Sequence, residues 1–157
     1  MFQHKKRFLW LPLSLMLLLS ACGNKSDLEV YQDSMNKIYQ EIITTSTSIN
    51  GIDATSADAV DTLLAELDTM NASFQTLAAI EVPEEFSSCE SLADDAATYM
   101  SESVDLYHQA FADGNYQADL GSQAKSKYET AMLHIKYIGD LLMGNVPEGD
   151  GVTVSYN

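Results

Sequence analysis

Apolar side chains recur at alternating spacings of three and four residues through four long stretches of this chain, a period that selects α-helix over strand. From Asp27 to Asn50 the series is Leu28, Tyr31, Met35, Ile38, Ile42, Thr45 and Ile49, an unbroken heptad seam along one helical face. Asn50-Gly51 then supplies a stop, because both residues tolerate positive φ. Thr55 with Asp58 three residues on resembles a capping signal, with Asp in place of the usual Glu. Beyond it Val60, Leu63, Leu67, Met70, Phe74 and Leu77 repeat the spacing to about Ile80.

Val82-Pro83 interrupts the pattern, and Pro is tolerated in the first turn of a new helix. Glu84 and Glu85 follow at once, where a helix dipole favours negative charge. The third seam is Phe86, Cys89, Ala93, Ala96, Met100, Ser103, Tyr107 and Ala110, widened by Leu92, Tyr99, Leu106 and Phe111. Asp113-Gly114-Asn115 is a turn signal. The fourth segment places Leu120, Ala124, Tyr128, Ala131, Ile135, Ile138 and Leu142 on one face, before Gly144 as C-cap and Pro147 beyond.

The predicted helices cover about 27–50, 56–81, 83–112 and 116–143, each about 36–45 Å long at 1.5 Å per residue. Helices of matched length joined by short connections pack as antiparallel neighbours, so the expected fold is all-α, an up-down-up-down four-helix bundle over 27–143. Val152-Thr153-Val154-Ser155-Tyr156 alternates with period two, but it follows a Pro- and Gly-containing stretch. Residues 144–157 are therefore expected to be a flexible tail.

Residues 1–21 are an address rather than part of the fold. Lys5, Lys6 and Arg7 precede an apolar run from Phe8 to Leu19, too short to cross a bilayer of about 30 Å comfortably. The run ends in Leu19-Ser20-Ala21-Cys22, which resembles the lipobox of bacterial lipoproteins. That resemblance implies diacylglycerol on the Cys22 thiol, cleavage before Cys22, often acylation of the new N-terminus, and an extracytoplasmic location on the cell membrane. Two or three acyl chains anchor a protein stably. The tether from Cys22 to Ser26 leaves four residues before the first helix, spanning at most about 14 Å, so the bundle would stand close to the bilayer. An even helix count would return the C-terminus to the membrane-proximal end.

Charge separates the function classes. The chain has 8 basic and 23 acidic residues, a formal -15, and loss of the three basic residues of the signal makes it -18. Nucleic acid is excluded as a partner, since phosphate contacts need a basic patch, and an anionic bilayer would repel the domain outward. Between Lys37 and Lys125 there is neither Lys nor Arg. Asp58, Asp61, Glu66, Asp68, Glu84, Glu85, Glu90, Asp94, Asp95, Glu102 and Asp105 recur there, giving the second and third helices a nearly continuous acidic surface. Such a surface steers a cationic partner or simply keeps the domain off an anionic envelope.

Catalytic signatures are missing: no nucleophile elbow, zinc-protease His pair, CxxC, phosphate loop or EF-hand spacing occurs. Asp105-x-x-His108 with Glu102 has the local spacing of a di-iron motif, but no second such motif exists and Asp105 faces away from the seam. Met35, Met70, Met100 and Met132 supply one thioether per helix near mid-height; core filling is the expected role, and a Cu(I) site the competing one. Cys89 falls on the inward stripe with nothing basic nearby, as expected of a small apolar core residue.

The domain also resembles small uncharacterised helical bacterial lipoproteins, in which Pro-Glu-Glu-aromatic opens a long helix as Pro83 to Phe86 does here. No active site comes with that resemblance. The expected function is therefore a lipid-anchored, non-catalytic envelope module that interacts through its acidic surface and carries no cofactor beyond its lipid. The partner would be a cationic envelope protein or peptide. The alternative is an extracytoplasmic cation- or small-ligand-binding lipoprotein.

Overall fold

A computed structural model of the chain describes residues 26–112 and 114–147. The expected signal segment 1–21, the expected lipidation position Cys22 and the part of the expected tail from 148 onward lie outside the described residues. Among the described residues the fold is all-helical: α1 is Asp27–Asn50, α2 Ala59–Ala78, α3 Ser88–Phe111 and α4 Ala118–Leu142. A short 3-10 turn, Glu84–Phe86, precedes α3.

α1 starts where the apolar period begins because Ser26 caps it. The Ser26 hydroxyl accepts from the Glu29 amide at 3.2 Å, and the Glu29 carboxylate accepts from the Ser26 amide at 2.9 Å. This Ser-x-x-Glu capping box is visible in the sequence, although sequence reading assigns Ser26 to the tether. The first seam buries Tyr31, Met35, Ile38, Ile42 and Thr45, with Leu28 and Ile49 half-buried at the two ends.

The second boundary differs from expectation. Thr55 does not cap α2; its hydroxyl and amide both donate to the Asp53 carboxylate, at 2.7 and 2.9 Å. Asp58 takes the N-cap position without a side-chain cap bond, and its carboxylate accepts from the Ser56 hydroxyl at 2.6 Å. The helix therefore starts at Ala59, and Val60, expected inward, is 40% exposed in its first turn. Leu67, Met70, Phe74 and Leu77 on the same seam are buried, because they lie further along, where the neighbouring helices reach.

Pro83 also acts differently. Its carbonyl accepts from the Phe86 amide at 2.8 Å, closing the 3-10 turn, and α3 begins only at Ser88. The Phe86 ring stacks on Tyr31 of α1 with centroids 5.8 Å apart, so the tighter turn serves to bring an aromatic onto the first helix. Glu84 and Glu85 consequently flank the 3-10 turn, and Glu90 occupies the first turn of α3. At the other end Tyr116 stays outside α4, its ring 5.0 Å from that of Phe111.

α2 packs on α1, α3 on α2 and α4 on α3. Specific bonds join α1 to α4 as well: the Tyr39 hydroxyl donates to the Ile135 carbonyl at 2.6 Å, and the Ser46 and Tyr128 hydroxyls meet at 3.5 Å. A single core cluster results, with Met70, Phe74, Met100 and Ile138 wholly buried. α3 has neighbours on both sides, so Leu92, Ala97 and Val104 are buried beside the expected stripe of Cys89, Ala93, Ala96, Met100, Ser103 and Ala110. Ala and Ser along that stripe let the backbones approach closely. The Ser103 hydroxyl, fully buried, donates to the Ala124 carbonyl of α4 at 2.8 Å. After α4, Gly144 takes a φ of 76°, residues 144–146 are exposed and Pro147 is buried.

Candidate functional site

Six of the eleven acidic residues singled out in the sequence fall at three places on α2, α3 and their connection. Asp94, Glu102 and Asp105 line one shallow cleft of about 430 Å³ with Gln75, Ala97 and Thr98, between α2 and α3. The Gln75 side-chain amide donates to the Ala97 carbonyl at 3.1 Å across its floor. Glu84 lies in a different depression, of about 610 Å³, with Asp27, Tyr31 and Glu81 beside the start of α1. Asp58 and Asp61 stand at the opposite end of the bundle, at the start of α2. Glu85, Glu90 and Asp95 are exposed and Glu66 half-buried, and none of these lines either cleft. The fold thus places some of these acids in two clefts and leaves the others on the open surface of α2, α3 and their connection.

Two of these acids are bonded to side chains of a neighbouring helix. The Lys127 ammonium of α4 lies 2.6 Å from the Glu102 carboxylate and 5.0 Å from the centre of the Tyr99 ring. The hydrogen bond to Glu102, more than any other influence, raises the Lys127 pKa above its ordinary value. His108 Nε2 lies 2.9 Å from the Asp68 carboxylate, linking α3 to α2. Both pairs are solvent-exposed and contribute modestly at physiological salt. The remaining lysines of α4 pair within their own helix, Lys125 with Glu129 and Lys136 with Asp140. Cations of α4 therefore leave most of the α2 and α3 carboxylates uncompensated.

Hydroxyl donors hold two carboxylates in their charged form. The Thr55 hydroxyl and amide keep Asp53 below the ordinary carboxylate range, and the Ser56 hydroxyl does the same for Asp58. Asp53 belongs to the acidic surface although sequence reading passes over it, because it sits in a loop rather than on a helical period.

Other candidate chemistry resolves into structure. Burial pushes the Cys89 thiol above its ordinary pKa, against the direction a nucleophile needs. Met35, Met70 and Met100 belong to the core cluster, and Met132 packs half-buried against it. His134 bonds through Nδ1 to the Thr130 carbonyl at 2.8 Å and lies between the Tyr99 and Tyr137 rings, at 5.5 and 6.3 Å. Among the described residues no group of three or more His, Cys, Asp or Glu is placed to hold a metal ion. No described helix is long and apolar enough to cross a membrane.

Sequence reading also passes over an apolar depression of about 300 Å³ lined by Ile49, Ile52, Val60, Leu63 and Phe111. Three elements converge there, and Ile52, an apolar residue off every seam, is its local sign in the sequence, whereas Ile49, Val60 and Leu63 read as seam positions. Comparison with protein-family models, with curated proteins and with solved structures returned no match to this chain.

Proposed function

We propose that the protein is a lipid-anchored, non-catalytic envelope module, a four-helix bundle running up-down-up-down that recognises a cationic protein or peptide through carboxylates of α2 and α3. The alternation of helix direction is supported by paired contacts of opposite sequence order. Tyr39 and Ser46 of α1 meet Ile135 and Tyr128 of α4, and Asp68 and Gln75 of α2 meet His108 and Ala97 of α3. Anchoring rests on the Leu19-Ser20-Ala21-Cys22 lipobox. The observation that carries the recognition reading is the charge imbalance across the bundle. All the lysines beyond Lys37 lie on α4, and three of the four helices present acids with few cations to offset them. Such a field speeds association with a cationic partner and disfavours anionic ones.

A crosslinking pull-down with the lipidated protein in its own cells, at low and high salt, tests this reading. A specific partner captured at low salt and lost at high salt is the expected result. A partner retained at high salt, or none in either condition, would overturn it. A small-ligand reading is favoured by one feature, the cleft between α2 and α3 where Asp94, Glu102 and Asp105 converge. Under that reading a ligand raises the thermal midpoint by mass action without any protein partner.

A further inference from the structure

We propose that the apolar depression where α1 ends, α2 begins and α3 ends is a docking dish for a basic amphipathic segment of a partner protein. An apolar side chain would enter the dish, and its flanking lysines or arginines would meet the carboxylates around it. The inference rests on the acidic-surface reading above and narrows it to one end of the bundle, one α1 length (about 36 Å) from Ser26.

The dish has about 300 Å³ of space, room for one or two large apolar side chains, and it opens to solvent. Its lining residue Val60 is 40% exposed, in the first turn of α2. The Phe111 ring, on the far wall, packs against Tyr116, which is itself 55% exposed, so the apolar surface continues toward α4. Asp53, Asp58 and Asp61 alternate in sequence with the lining residues Ile52, Ala54, Ala59, Val60 and Leu63. All three are exposed, and among the described residues none of them meets a cation.

Charge decides the occupant. A second copy of this chain or an anionic lipid surface would bring like charge against the three carboxylates. A neutral apolar ligand would fill the dish but leave their charge uncompensated. A segment with an apolar side chain between basic ones satisfies both features, as in the docking of amphipathic helices into apolar grooves.

Two labelled 12-residue helical peptides provide the probe: one alternates leucine and lysine faces, and the other replaces each leucine with serine. Binding is read by fluorescence anisotropy with the full chain in zwitterionic nanodiscs, and circular dichroism confirms that each variant stays helical. Leucine–lysine peptide should bind more tightly than its serine counterpart. Joint Asp53→Asn, Asp58→Asn and Asp61→Asn should weaken it about tenfold and Val60→Ser about threefold. Joint Glu90→Gln, Asp94→Asn and Asp95→Asn, which removes the same charge elsewhere, should change it less than twofold. Equal weakening by the two triple variants, or equal binding of the two peptides, overturns the dish and leaves the wider acidic-surface reading standing. If neither peptide binds, the dish is overturned, and the salt-dependent pull-down decides the wider reading by itself.

Discussion

The Tyr39 hydroxyl donates a 2.6 Å hydrogen bond to the Ile135 carbonyl, and Gly139, one turn further along α4, leaves the space that the phenol occupies. A Cβ at position 139 would lie 3.2 Å from that hydroxyl, tighter than an ordinary contact. A glycine in a helix interior costs about 1 kcal/mol relative to alanine, an upper bound for Gly139 in the last turn of α4. Here that cost accompanies a bond between the first and last helices.

The two effects separate in a double-mutant cycle. Tyr39→Phe should lose about 1 kcal/mol, the net value of one hydrogen bond. Gly139→Ala alone should be close to neutral, its gain in helix propensity offset by displacement of the fixed hydroxyl. In the Tyr39→Phe background the same change should stabilise by up to about 1 kcal/mol, a coupling of similar size. Urea denaturation of the four proteins measures this, and strict additivity would contradict the contact.

Two positions of one sequence seam should respond very differently. Phe74 is wholly buried, so Phe74→Ala should cost about 3–5 kcal/mol through lost burial and a residual cavity. Val60 is 40% exposed, so Val60→Ala should stay within about 0.5 kcal/mol. Chemical denaturation again decides, and equal losses would overturn the placement of the first turn of α2.

Alkaline pH should weaken the fold in two stages. Burial, first among the causes, raises the pKa values of Cys89, Tyr31 and Tyr39 above their ordinary values. Below the ordinary thiol value, about 8.5, both folded and unfolded chains keep these protons and stability is fully present. Above it the unfolded chain releases a proton that the folded chain retains, so stability falls as pH rises, more steeply beyond about pH 10 where phenols join. Cys89→Ala should remove the first stage and move the onset toward pH 10. Urea midpoints between pH 7 and 11 check it, and an unchanged onset would remove Cys89 from the account.

Lipidation makes a countable prediction. The full chain has two cysteines, and a lipid on Cys22 leaves one free thiol. Thiol titration should find that thiol, Cys89, slow to react in the native protein and one equivalent in denaturant. Two equivalents would mean an unmodified Cys22. Cys22→Ala should also release the protein from membranes, and persistent membrane association would remove the lipoprotein assignment.

Legibility in the sequence tracked how local the cause was. The seam from Tyr31 to Thr45 was readable because each residue's burial follows from a repeat within its own helix. The start of α3 was not: Pro83 and two glutamates look like a first helical turn, yet the Phe86 ring is drawn onto Tyr31, fifty-five positions earlier, and a 3-10 turn intervenes. The eleven acids were all visible as composition. That Asp94, Glu102 and Asp105 share one cleft while Glu84 lines another depression was not, because it depends on which helices are neighbours.

The sequence by itself determined that the described part of this protein is helical, that four segments share one apolar period, and that its surface is strongly negative. Those properties arise from spacings and charges along the chain, with no distant partner required. Tertiary structure alone decided that Phe74 is buried while Val60 is exposed, that Ser103 can bond across to Ala124, and that Ile49, Val60 and Phe111 share one depression. A helical period marks a face without saying where along the helix a neighbour begins and ends, and burial requires the neighbour.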